Sequence, residues 1–84
     1  MEQKNFIRLQ KIIQYHGISR HEITEWVEYE FFEIVEEEGS EYIREDELDK
    51  IERIIRLYRD LGVNSPGIDI ILRLREKLER LQRS

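Results

Sequence analysis

Eighty-four residues bound the chain to one small domain with a shallow core, and 39% of them are charged, nineteen acids against fourteen bases for a net charge of −5. There is no cysteine, which excludes a disulfide framework, a thiol nucleophile and a cysteine metal site. No apolar run approaches a membrane span, and Met1-Glu2-Gln3-Lys4-Asn5 lacks the apolar segment of a secretory leader, so a cytoplasmic protein is expected.

Phe6, Ile7, Leu9, Ile12 and Ile13 fit a short amphipathic helix preceded by an extended residue or two, with His16 continuing the helical spacing and Gly17 ending it. Ile18 is expected to point inward. Ser19 is a natural N-cap, and Glu22 three residues on completes a capping-box pattern. The second helix then runs from about Arg20 to Tyr29, with Ile23, Trp26 and Val27 on one face, and Trp26 is expected in the core. Helix, glycine-containing turn, helix is the helix-turn-helix arrangement. Phe31-Phe32-Glu33-Ile34-Val35 reads as a strand, Glu36-Glu37-Glu38-Gly39-Ser40 as a polar turn, and Tyr42-Ile43 as a second strand, together a small β-hairpin wing whose register the pattern does not fix.

A third helix is predicted from Glu45 to Leu61, with Glu45, Asp46 and Glu47 at the positive end of its dipole and Leu48, Ile51, Ile54, Ile55, Tyr58 and Leu61 as its apolar stripe. The last helix spans about Pro66 to Gln82. On it Ile71, Leu74, Leu78 and Leu81 fall at steps of three and four, the start of a heptad seam and a candidate for homodimerisation. The whole is a single mainly α domain over 1–84: a winged helix-turn-helix over 1–44, then a long helix and a C-terminal helix forming a hairpin over 45–84.

The junction between those two helices is the most distinctive stretch of the chain. In Arg56-Leu57-Tyr58-Arg59-Asp60-Leu61-Gly62-Val63-Asn64-Ser65-Pro66-Gly67-Ile68, Gly62 can close one helix in the left-handed conformation. Asn64 can cap the next, and Pro66 suits its first turn because a missing N–H is no loss there. Arg56 and Asp60, four apart, are placed to pair and to orient the hinge; Glu52 with Arg56 and Glu76 with Arg80 have the same spacing for pairing. Gly67 is read as allowing close helix approach. This wording resembles the Arg-Leu-x-x-Asp-Leu-x-x-Asn-x-x-Gly-Ile signature of the chaperone-modulator (CbpM) family, small relatives of the MerR-type regulators. The resemblance extends from about Leu9 to Leu81. It implies a MerR-like winged helix-turn-helix that binds the J-domain of a DnaJ-like (CbpA-type) co-chaperone and restrains its work with Hsp70 (DnaK).

Charge distribution bears on the same choice. Residues 20–50 carry thirteen acids against Arg20, Arg44 and Lys50, whereas residues 51–84 carry five acids against eight bases. A DNA reader would place its second helix in the major groove with bases around it. Here that helix carries Glu22, Glu25, Glu28 and Glu30 against Arg20, and the wing adds Glu33, Glu36, Glu37, Glu38 and Glu41. The acidic block therefore favours a basic protein partner over DNA, with Glu22, Glu25, Glu28, Tyr29 and Glu30 as the candidate contact residues; a MerR-type DNA-binding transcriptional regulator is the alternative. His16 suits a helix end. His21 and Glu25 have helical spacing for two ligands but make no metal site alone. No nucleophile motif or phosphate loop is present, so neither enzymatic activity nor a cofactor is expected.

Overall fold

A computed structural model describes residues 5–83; the leader reading over residues 1–4 lies outside them. The order is β1 (Phe6–Arg8), α1 (Leu9–His16), α2 (Arg20–Glu28), β2 (Val35–Glu37), β3 (Ser40–Arg44), a 3-10 turn over Glu45–Glu47, α3 (Leu48–Asp60) and α4 (Ser65–Arg83). Helix-turn-helix, wing, long helix and C-terminal helix appear as the apolar periodicity predicts.

The wing differs from expectation in two ways. Phe31 and Phe32 form no strand; both are buried in the loop after α2, filling the core beside Trp26. Strand β2 instead begins at Val35 and takes in Glu36 and Glu37, which the polar composition had assigned to a turn. The turn is reduced to Glu38 and Gly39, with φ of 49° and 81°. A two-residue hairpin loop of type I′ needs positive φ at both central positions, easy for Gly39 and costly for a glutamate. Register is thereby fixed: Val35 opposes Tyr42, Glu36 opposes Glu41 and Glu37 opposes Ser40. The residues before α1 also form a true strand. β1 pairs antiparallel with β3, Ile7 facing Ile43, so the wing is a three-stranded sheet in the order β1-β3-β2. A three-residue strand carries too little alternation to be read from sequence.

Helices α1 and α2 bury the face their spacing marks. In α3 the isoleucines do so while Tyr58 and Leu61 of the expected stripe are 40% and 69% exposed, and α4 fully buries only Ile68 of its apolar residues. Leu9 and Ile12 of α1, Ile23 and Trp26 of α2, Ile51, Ile54 and Ile55 of α3, and Ile68 of α4 meet Ile18 and Ile43 in one cluster. Trp26, 1% exposed, is its largest member, and its indole stands edge-on to the Tyr58 ring at 5.8 Å between centroids. Ser19 and Glu22 complete the capping box of α2: the Ser19 hydroxyl accepts from the Glu22 N–H at 3.0 Å, and the Glu22 carboxylate accepts from the Ser19 N–H at 2.9 Å. Beyond Ile71 and Leu72, which are half-buried, every described residue of α4 from Arg73 onward is exposed. The last helix therefore projects out of the domain.

Candidate functional site

The hinge between α3 and α4 is built as its residue types require. Gly62 adopts φ of 65°, and the Val63 N–H reaches back to the Leu57 carbonyl at 3.0 Å. Asn64 caps α4, its side-chain oxygen accepting from the Gly67 N–H at 3.0 Å, while Pro66 occupies the first turn. Gly67 serves this cap rather than helix-to-helix approach. A Cβ there would come within 2.8 Å of the Val63 side chain and 3.2 Å of the Asn64 oxygen, so any larger residue would push out the cap.

The pairing expected of Arg56 and Asp60 is absent. Both are exposed and no ion pair joins them among the described residues. Glu52 turns to His16, at 3.8 Å, instead of to Arg56. Arg59, Ser65 and Tyr58, to none of which the pattern gave a polar role, connect the hinge to the helix-turn-helix. Arg59 donates to the carbonyls of His16, at 2.6 Å, and Gly17, so the guanidinium satisfies orphan carbonyls at the end of α1. Ser65, 3% exposed, donates its hydroxyl to the Glu25 carboxylate. Tyr58 lies beside Glu22, whose carboxylate raises the Tyr58 pKa. A serine between a cap and a proline reads as turn chemistry, and an arginine on a charged helix reads as solvated, so neither role shows in the sequence.

These bonds divide the five candidate contact residues. Glu22 and Glu25 lie on the flank of α2 that meets α3 and α4, and both are engaged within the domain. Glu28, Tyr29 and Glu30 are exposed at the C-terminal end of α2, with the Tyr29 ring 5.4 Å from that of Phe31. Arg20, His21, Thr24 and Glu28 make up the outward face of α2. That face is less acidic than the helix as a whole.

Farther along, acidity dominates. Glu33, Glu36, Glu37 and Glu38 are exposed on the loop and wing. The region's three bases are held within the domain. Arg20 makes a bidentate pair with Glu41, at 2.5 and 2.7 Å, which raises the arginine pKa and holds the Glu41 carboxyl below its usual range. Arg44 lies 3.4 Å from Glu33 and 3.7 Å from both Asp46 and Glu47. Lys50 donates to the Phe31 carbonyl at 2.9 Å and sits 3.6 Å from Glu47. Glu22 titrates below the ordinary carboxylate range, first because it accepts from the Ser19 N–H and then through Tyr58.

On α4, Leu74, Leu78 and Leu81 are 61%, 56% and 65% exposed, with half-buried Ile71 at the head of the row. No group of three or more His, Asp or Glu side chains among the described residues is arranged to hold a metal ion, and no helix there is long and apolar enough to cross a membrane.

The family model described as MerR HTH family regulatory protein matches residues 7–84. Comparison with curated proteins and with solved structures gives no match. Matched over nearly its whole length, the chain belongs to this MerR helix-turn-helix family.

Proposed function

We propose that this member of the MerR helix-turn-helix family is a non-enzymatic, cytoplasmic chaperone modulator. It binds the J-domain of a DnaJ-like (CbpA-type) co-chaperone and inhibits its work with Hsp70 (DnaK). The hinge wording Arg56 to Ile68 motivates the choice of partner class. The observation that carries the reading is that Glu28, Glu30, Glu33, Glu36, Glu37 and Glu38 are all exposed, along the end of α2, the loop and the wing, while the bases of this stretch are committed to internal pairs. A winged helix-turn-helix laid on DNA would bring such a wing to phosphates, and a unit charge 4 Å from another costs about 1 kcal/mol even in bulk water. A basic protein surface meets the same carboxylates with attraction, favouring rapid and selective encounter. Glu28, Tyr29 and Glu30 supply the α2 side of this surface, and Glu22 and Glu25 act from behind it by fixing the helix. Two copies associate through Ile71, Leu74, Leu78 and Leu81. The test is an Hsp70 ATPase assay stimulated by the J-domain of the same organism's DnaJ-like protein. Added modulator should suppress the stimulation and leave basal turnover unchanged; unaltered stimulation at saturating protein would reject the proposal.

A second reading, a dimeric DNA-binding regulator, is favoured by one observation. The outward face of α2 shows Arg20, His21, Thr24 and Glu28, a single carboxylate where the sequence has four. A gel shift with the gene's own upstream DNA separates the readings, since the modulator leaves that DNA unshifted.

A further inference from the structure

We infer that the outer face of the wing sheet anchors the basic partner: an apolar dish formed by Phe6, Val35 and Tyr42 takes one large apolar side chain, and Glu37 and Glu38 beside it bind flanking lysines or arginines. The inference deepens the basic-partner reading above and rests on it.

Strand alternation creates the dish. Ile7 and Ile43 are paired on the inner face, with Ile43 fully buried, so Phe6, Tyr42 and Arg44 stand on the opposite face. Val35 opposes Tyr42 on that side from β2. Phe6 is 47% exposed although it lies within a paired strand. With Val35, Tyr42 and Glu37 it lines a shallow depression of about 270 Å³. That is below the roughly 300–1,000 Å³ of small-molecule sites, and it suits one side chain offered by a partner.

The charges around the dish select the partner. Both arginines of this face have partners within the domain: Arg8, itself exposed, lies over the Tyr42 ring, 5.8 Å from its centre, and Arg44 is shared among Glu33, Asp46 and Glu47. Acids remain at the rim, Glu37 lining the dish and Glu38 exposed at the turn that follows it, while Glu36, paired with Glu41, points to the other face. An apolar seat edged by carboxylates fits a protein segment with a large apolar residue between cations, and it repels a nucleic-acid backbone. Charges on an edge strand also deter unwanted strand pairing, but that role needs no aromatic seat beside them.

The experiment titrates the isotopically labelled full chain with a short peptide holding one tryptophan between arginines, and with its counterpart in which glutamates replace the arginines. NMR should show saturable shifts at the amides of Phe6, Val35 and Tyr42 with the basic peptide alone. Phe6→Ser should weaken that binding about tenfold, equivalent to about 1.4 kcal/mol, because the seat loses its largest apolar wall. Glu37→Lys, at an exposed position, should weaken it also and serves if the Phe6 variant fails to fold. Absent shifts, shifts confined to α2 or α4, or a short oligonucleotide that moves the same amides more strongly would overturn the inference. The J-domain distinguishes the two proposals. Equal J-domain binding by wild type, Phe6→Ser and Glu37→Lys would remove the anchor and leave the modulator standing. A dish that binds peptide in a protein with no affinity for the J-domain would do the reverse.

Discussion

The Ser65 hydroxyl at the start of α4 donates to the Glu25 carboxylate on α2. The bond crosses forty positions of sequence and ties the projecting helix to the helix-turn-helix. Removing the hydroxyl leaves a partly buried carboxylate short of a donor, a loss of about 1–3 kcal/mol. Ser65→Ala should lower the urea midpoint accordingly without changing helix content by circular dichroism. Glu25→Ala should cost a similar amount, and the double variant less than the sum, because both changes break one interaction.

Acid should destabilise the domain through Glu22 and Glu41. Both carboxyls titrate lower folded than unfolded, Glu22 chiefly through the Ser19 N–H and Glu41 chiefly through Arg20. A depressed carboxyl contributes stability that is complete above its unfolded pKa and is lost as pH falls through the folded value. The urea midpoint should therefore be flat at neutral pH and fall below the ordinary carboxylate range near pH ~4. Glu22→Gln should lower stability at neutral pH and make the fall shallower. An acid limb as steep as wild type would remove Glu22 from this role.

Association through α4 can be tested apart from folding. Leu74, Leu78 and Leu81 lie outside the core cluster, so Leu74→Asp with Leu78→Asp should leave thermal unfolding of the monomer within about 0.5 kcal/mol of wild type. By sedimentation, wild type should run as a dimer at micromolar concentration and the double variant as a monomer. A monomeric wild type would reject association through this seam.

The strained corner of the wing offers a gain. Glu38 holds φ of 49°, a conformation that asparagine and glycine adopt more readily than glutamate. Glu38→Asn should stabilise the domain by about 0.5–1 kcal/mol, read as a higher urea midpoint. No change would mean that the unfolded state or the turn compensates.

The helices were legible because their periodicity, caps and glycine stops agree: Ser19 with Glu22, Gly62 with Asn64, and the isoleucine rows of α3. The wing was less so. Aromatic, strand-favouring Phe31 and Phe32 are drawn into the core as loop residues, and the acidic run Glu36–Glu37 pairs because the turn geometry at Glu38–Gly39 fixes the register. The candidate surface was half legible. Counting glutamates along α2 marks acidity but not direction, and direction depends on tertiary partners. Ser65 takes Glu25 and the Ser19 cap takes Glu22, leaving Glu28, Tyr29 and Glu30 exposed.

The central claim, an acidic surface that docks on a J-domain, is tested most directly by calorimetric titration of the full chain with that J-domain at low and at moderate salt. The account predicts micromolar or tighter binding that weakens as salt screens exposed charges, and a further loss for Glu28→Lys combined with Glu30→Lys. No complex at either salt, or an affinity indifferent to both salt and charge reversal, would contradict it.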